Sequence, residues 1–474
     1  MITSIVRQPV SESSYPFMSA RVNADLDGRG YLEDEYFFSG TANVYGKDEK
    51  GNMTVLAASA PYTNRFLVRR PTDPARASGR VIVEIVNSSS YMDIDRSWIL
   101  THQQLMRNGD IYVGVTSKPI TMKTLRKFDQ RRYAPLCWDN PRKCLLPAMS
   151  LGNFQGASRP ETEDGLFWDM LTDLSLLCRE PNDFLGGVPV TRVYLMGWSQ
   201  SGGYMVAYAN WFAHKRYKEG LPPVFDGMFS MGPGPSVTPA LNQEESMRID
   251  QGEATVRFSN VPYYTVHTES ENAGLGTHET RIPDSDDPLL LYRITEIAGA
   301  THDSVFSMDD YYTDRSDQFK TSIFLNYPGY EPNPNNFPYQ LAYHAGLMQL
   351  YDWVEKGIVP PKNAPIPVDA DLNNVTDKNG NALNGWRLPE IELPVCSYRP
   401  RATPLKPGFS TLLYGCELPF SSEKLISLYG SLARYRSLVR EKAEQAVQER
   451  RLMEEDVEYC VEHAVEKAKK YGLV

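Results

Sequence analysis

A serine hydroxyl attacks a carbonyl only when a base removes its proton and its backbone is presented at a sharp turn. The segment Gly197-Trp198-Ser199-Gln200-Ser201-Gly202-Gly203 supplies such a turn. It follows the buried-strand pattern Thr191-Arg192-Val193-Tyr194-Leu195-Met196 and precedes the helical stretch Tyr204-Met205-Val206-Ala207-Tyr208-Ala209. A strained turn tolerates only small residues two positions before and after its centre, where larger ones would strike the backbone. Gly197 and Ser201 meet that demand around Ser199, and Gly202 follows Ser201 at once.

The base must be a histidine held by a carboxylate, in the chain order serine, acid, histidine. Of His102, His214, His267, His278, His302, His344 and His463, only His302 follows a strand pattern (292–297) through a small-residue turn, Ala298-Gly299-Ala300-Thr301. His267 lies inside a strand and His278 in a loop, while His344 and His463 fall on helical faces and read as structural. For the acid, Thr268-Glu269-Ser270-Glu271-Asn272 leaves the strand 263–267, and spacing alone leaves Glu269 and Glu271 both open. A developing oxyanion needs two backbone donors. One is expected from the amide of Gln200, the other from Ser88 or Ser89 in the loop Asn87-Ser88-Ser89-Ser90. Asn87 and Trp198 are candidates for the substrate pocket; Phe167 and Trp168 read first as packing residues.

Elements that would position these groups are visible as patterns. Residues 1–70 alternate aromatic or β-branched with polar residues, an antiparallel region. Val81-Ile82-Val83-Glu84-Ile85-Val86 is a nearly continuous β-branched run, the mark of a strand buried on both faces of a parallel sheet. A helix over 95–107 and a second buried strand at 111–115 complete a βαβ unit. Residues 116–163 hold Pro119, Pro135, Pro141, Pro147 and Pro160 and are expected to be loop-rich and partly lid-forming. A helix over 163–180, strands at 227–231, 263–267 and 291–297, and a helix over 339–356 stopped by Gly357 follow. Together they predict a doubly wound α/β sheet. Residues 361–420 are Pro-rich, and the last fifty carry two amphipathic helical patterns, expected to pack on their own domain or against a second copy.

The 474 residues thus divide into a β-rich extension (1–70), an α/β core (71–360) and a C-terminal wrap (361–474). With 41% hydrophobic residues the chain has ample core material, which excludes disorder as its main state. Forty-nine Lys+Arg against 59 Asp+Glu give a net charge of −10, and no basic run suggests a nucleic-acid partner. The six cysteines form no C-x-x-C pair or zinc-ligand cluster; no metal or cofactor is expected. The start MITSIVRQPVSESSYPF lacks the basic and apolar regions of a secretory signal, and no run of eighteen apolar residues occurs. A cytoplasmic protein without a membrane partner is expected.

The segments G-W-S-Q-S-G, V-I-V-E-I-V-N-S-S-S with Y-V-G-V-T, K-F-D-Q-R-R-Y, H-T-E-S-E-N leading to R-I-T-E-I-A-G-A-T-H, and W-R-L-P-E-I-E-L-P resemble the "alpha/beta hydrolase domain" family of large Ser-Gln-Ser esterase-like proteins over nearly the whole chain. The resemblance implies an α/β-hydrolase fold, and carboxylic-ester hydrolysis with Ser199 and His302 in the triad. Its acid motif resembles T-E-x-[Asp/Glu] and leans to Glu269, whereas the general hydrolase spacing points to Glu271. Trp198 stands where a smaller or acidic residue is expected, and Ser-Ser-Ser where a glycine pair is commoner. The resulting expectation is a serine esterase acting on a small-molecule ester through an acyl-enzyme. Acyl transfer or amide cleavage on the same triad, and a non-catalytic binding scaffold, are the alternatives.

Overall fold

A computed structural model describes residues 1–89, 91–142, 161–234, 239–245, 251–274, 276–307, 333–401 and 413–474. The chain divides into two compact units; one comprises Met1–Tyr264 and Ser285–Tyr292, the other Thr265–Asp284 and the described residues from Arg293 onward. Residue 90 and residues 143–160 of the expected lid segment lie outside the described residues.

The first unit is built on strands β1 (Ile2–Arg7), β2 (Tyr31–Lys47), β3 (Met53–Pro71), β4 (Arg80–Val86), β5 (Ile111–Thr116), β6 (Arg192–Trp198), β7 (Gly227–Met231), β8 (Ser259–Thr268), β9 (Ser285–Asp287) and β10 (Leu290–Ile297). Their order in the ten-stranded sheet is β1-β2-β3-β5-β4-β6-β7-β8-β10-β9. β8 and β10 begin in this unit and run on into the second. The centre, β5-β4-β6-β7, is parallel, and β1, β2 and β3 join it antiparallel.

The central strands are parallel because their residues suit burial on both faces: all six of β5 and six of seven in β4 are buried. Helices α1 (Arg96–Asn108), α2 (Met122–Phe128), α3 (Gln130–Tyr133), α4 (Phe167–Leu177), α5 (Gln200–Ala207) and α6 (His214–Lys218) occur between the strands. α1 starts where the Glu84 carboxylate on β4 accepts the amides of Ser97 (2.7 Å) and Trp98 (3.0 Å), satisfying donors that a helix start leaves open. It ends at Gly109, whose left-handed φ of 75° lets its amide turn back onto the last carbonyls. The expected helix over 163–180 is shorter, α4 being preceded by a tighter turn at Asp164–Leu166.

Two buried arginines of β3 anchor the loop between β4 and α1. Arg65 donates to Asp93 (3.1 Å) and Glu35 (2.5 Å), and Arg69 to Asp95 (2.5 Å) and Glu33 (2.8 Å). Such charges persist in an interior only when paired, so this loop is held in one place.

The second unit carries α7 (Glu269–Gly274), α8 (Thr277–Thr280), α9 (Gln340–Lys356), α10 (Pro389–Glu392), β11 (Cys396–Arg399), β12 (Cys416–Pro419), α11 (Ser422–Tyr429), α12 (Leu432–Gln448) and α13 (Val457–Lys470). α12 and α13 pack together, and Val439 and Ala443 on the first and Val461 and Ala464 on the second are buried. Buried Lys467 on α13 pairs with Glu390 (2.9 Å) and Glu417 (2.8 Å). His344 on α9 bonds Asp456 (2.6 Å) and His463 bonds Glu390 (2.5 Å), both serving the architecture of this unit. His278, expected in a loop, lies in the single-turn helix α8.

Candidate active site

From β4 the connections run outward in both directions, to β5 on one side and through β6 to β7 on the other. The strand ends at such a reversal frame a crevice, and ligands of open α/β sheets bind there. β4 delivers the loop beginning at Asn87 and β6 delivers Ser199 to that edge.

Ser199 has φ 56° and ψ −117°, a conformation side chains rarely adopt. Its amide is tied to Met231 O on β7 (2.8 Å), so the strand ladder holds the turn. Space explains the small neighbours. A Cβ on Gly197 would lie 2.6 Å from Ser201 O, and one on Gly202 would lie 3.1 Å from both Pro233 Cβ and Ser230 Oγ. α5 begins at Gln200, whose amide, like the first amides of any helix, has no partner within the helix.

The loop after β4 is clamped onto this turn. Asn87 Nδ2 donates to Trp198 O (2.9 Å), the carbonyl preceding Ser199, while Asn87 Oδ1 accepts the Ser89 amide (2.8 Å) and the Ser89 hydroxyl (2.5 Å). Ser88 Oγ donates to Gln200 Oε1 at 2.9 Å. Two results follow for the expected oxyanion donors. The Ser89 amide is spent on Asn87, whereas the amides of Ser88 and Gln200 donate to no oxygen among the described residues. Asn87, expected in the pocket, is 2% exposed and uses both ends of its side chain on this clamp. Trp198 is also 2% exposed, with the Arg96 guanidinium 5.7 Å from its ring centroid, so its indole belongs to the interior.

In the second unit, His302 Nδ1 lies 2.6 Å from Glu271 Oε1, with both residues buried. The His302 amide donates to Ser270 Oγ (2.8 Å). Glu271 is fixed in turn: its Oε2 accepts the Thr268 amide and its Oε1 accepts the Thr268 hydroxyl (2.8 Å). A Glu three residues after a Thr that closes back on that residue's amide is half of a capping box, here at the start of α7. Glu269, two residues earlier, accepts the Gly299 amide (2.7 Å) instead of reaching the imidazole. Burial pushes its carboxyl up to about 7, against that hydrogen bond. The geometry therefore separates two glutamates that spacing left equivalent. His267 is buried beside Thr265 Oγ1 (3.2 Å), and burial lowers its pKa, keeping it neutral.

Sequence reasoning missed the clamp role of Asn87 and the support of His302 by Ser270. T-x-x-E at 268–271 was a readable signal for the fixing of Glu271; no local pattern announces a side chain that bonds a carbonyl far along the chain. Among the described residues no group of three or more His, Cys, Asp or Glu could hold a metal, and no helix is long and apolar enough to cross a membrane.

A parallel-centred sheet with a strained serine between strand and helix at its switch point defines an α/β hydrolase. A family model described as "Alpha/beta hydrolase domain" matches residues 6–462, and the chain belongs to that family. No curated protein matches it. Similar solved structures include an esterase Est22 (11% identity, 65% of this chain and 85% of that one, TM-score 0.33). They also include an inhibited esterase B from Lactobacillus rhamnosis (12%, 58% and 81%, 0.30) and an esterase of Pyrobaculum calidifontis (11%, 58% and 80%, 0.28).

Proposed function

We propose that the protein is a serine esterase in which Ser199 is the nucleophile, His302 the general base and then acid, and Glu271 the residue that orients the imidazole. Ser199 Oγ loses its proton to His302 Nε2 as it attacks the ester carbonyl; collapse of the tetrahedral intermediate expels the alcohol, which takes that proton. Water, deprotonated by the same imidazole, then frees the acid. The amides of Ser88 and Gln200 receive the oxyanion at the positive end of α5.

The observation that carries this reading is the left-handed backbone of Ser199 between β6 and α5. Strain of this kind persists only where the surroundings enforce it, and it accumulates at catalytic residues. The Ser88–Gln200 bond and the His302–Glu271 pair add support, each supplying the partner that one step needs. Glu271 is chosen over Glu269 because its oxygen lies on Nδ1, leaving Nε2 for the proton. The expected result for Ser199→Ala is loss of 4-nitrophenyl butyrate hydrolysis and of labelling by a fluorophosphonate, with an unchanged melting curve. A variant that hydrolyses the ester at the parent rate would end the proposal.

A further inference from the structure

β5 ends at Thr116, and Lys118 stands two residues beyond it, at the same sheet edge as Ser199. β5, β4 and β6 are consecutive neighbours, so the chain at Lys118 and the chain at Ser199 are separated by two strand spacings, about 10 Å. Lys118 is only 5% exposed. A buried ammonium is costly unless it is paired, yet the ammonium of Lys118 forms no ion pair or hydrogen bond among the described residues. The Tyr204 ring lies 5.6 Å from the ammonium, measured to the centroid. Burial lowers its pKa, and the carboxylate that acts against this, Asp164, does not come within ion-pair distance.

Lys118 and Tyr204 line one slot with Trp168, Asp164 and Glu245. Its open space is about 370 Å³ with the mouth included. The interior is narrow, with room for roughly one water molecule. Tyr204 sits on α5, the helix that starts beside Ser199, and its hydroxyl makes no hydrogen bond among the described residues. The segment that continues from Lys118 is cationic in a chain of net charge −10: Lys123, Arg126, Lys127, Arg131 and Arg132 stand against Asp129 alone up to residue 132. Lys123, Arg126 and Lys127 line a second cleft beside Pro119.

We propose that Lys118 is a specificity residue that accepts a free carboxylate of the substrate, so that the preferred esters are half-esters of linear dicarboxylic acids. This rests on the reading of Ser199 as nucleophile. A slot with room for about one water takes only the tip of a thin chain, such as one oxygen of a terminal carboxylate, and excludes a branched group. Asp164 and Glu245 in its lining disfavour a dianion such as a phosphate monoester, which leaves the singly charged carboxylate as the fitting class. The spacing of about 10 Å between the two chain positions, less the reach of the lysine side chain, calls for a short methylene linker between the scissile carbonyl and the carboxylate.

The test compares 4-nitrophenyl half-esters of adipic and suberic acid with 4-nitrophenyl esters of the monocarboxylic acids of equal chain length. In the parent, kcat/KM for one half-ester exceeds that of its neutral counterpart by about 10- to 100-fold, the value of one hydrogen bond to a charged group. Lys118→Met brings the ratio close to one, and Lys118→Arg restores part of it. A ratio near one in the parent, or one unchanged in Lys118→Met, overturns the proposal. Thermal unfolding in adipate against chloride at equal ionic strength reads the slot without turnover. Adipate raises Tm of the parent and not of Lys118→Met; equal responses, or no response in the parent, overturn the assignment. If Ser199 takes no fluorophosphonate and no ester is cleaved, the esterase reading falls, while the melting comparison still decides the role of Lys118.

Discussion

Replacing each of the two neighbouring glutamates by glutamine separates the orienting carboxylate from the structural one. Glu271 lies 2.6 Å from His302 Nδ1 and is held by the Thr268 amide and hydroxyl. Glu271→Gln keeps an oxygen for the Thr268 amide, as a capping box built with Gln does, so the start of α7 survives. The remaining amide group then faces the imidazole as a donor, which favours the tautomer with the proton on Nε2. That tautomer cannot take a proton from Ser199, and the charge that would stabilise the imidazolium is gone. Comparable tautomer reversal in triad enzymes costs about 10⁴-fold in kcat, or about 5 kcal/mol at 1.36 kcal/mol per decade. Glu269 differs. With its carboxyl pushed up to about 7, a large share is already neutral near that pH, and Gln reproduces that form while still accepting the Gly299 amide (2.7 Å). Glu269→Gln is therefore expected to stay within about threefold of the parent, a residual of under 1 kcal/mol. The assay is kcat and KM for 4-nitrophenyl butyrate at pH 7.5, with melting curves for both variants. A Glu271→Gln enzyme within tenfold of the parent, or a Glu269→Gln enzyme impaired as deeply as Glu271→Gln, would refute the reasoning.

Asn87→Ala removes the three bonds of its side chain, to Trp198 O and from the Ser89 amide and hydroxyl. The expectation is about 2–4 kcal/mol of stability lost and a fall in kcat of about 10- to 100-fold at nearly constant KM, since displacing one oxyanion donor costs up to about 10³. Urea unfolding and steady-state kinetics measure the two effects, and a stability loss with kcat untouched would show that Asn87 does not act on the donors. Glu84 gives a pH signature: burial, with a smaller contribution from Asp95, raises its folded pKa to about 8. A carboxyl raised in the folded state contributes stability that is complete below its unfolded value, near 4.5, and is lost as pH rises through about 8. Urea unfolding of the parent and of Glu84→Gln at pH 6 and pH 9 should show the parent losing about 2–3 kcal/mol more than the variant across that interval; parallel losses would contradict it.

Much of the sheet was legible because burial on both faces leaves a compositional trace. The β-branched run 81–86 became β4 and the strand at 227–231 has those same limits. The strained serine was readable for a steric reason, since the turn dictates the size of residues 197 and 201. The hairpin of β2 and β3, 17 and 19 residues long, was legible only as an antiparallel region. Its outer part, with Ala57-Ala58-Ser59-Ala60-Pro61, carries no strand propensity and is held by pairing. α2 and α3 are too short for their periodicity to emerge from a proline-rich stretch, and α11 just beyond residue 420 was missed although Ser421 caps it through the Lys424 amide (3.3 Å). The choice between Glu269 and Glu271 rests on which way a side chain turns at the start of a helix. That direction is set by Thr268 and Gly299, which spacing counts do not weigh.

β8 and β10 belong to both units, and among the described residues the chain passes from one unit to the other at 264–265, 284–285 and 292–293. Neither unit is a contiguous stretch that could be copied, exchanged or expressed as a fragment. A cut anywhere between 265 and 292 leaves both units incomplete, so an exchange or truncation made in that stretch is expected to yield no independently folding half.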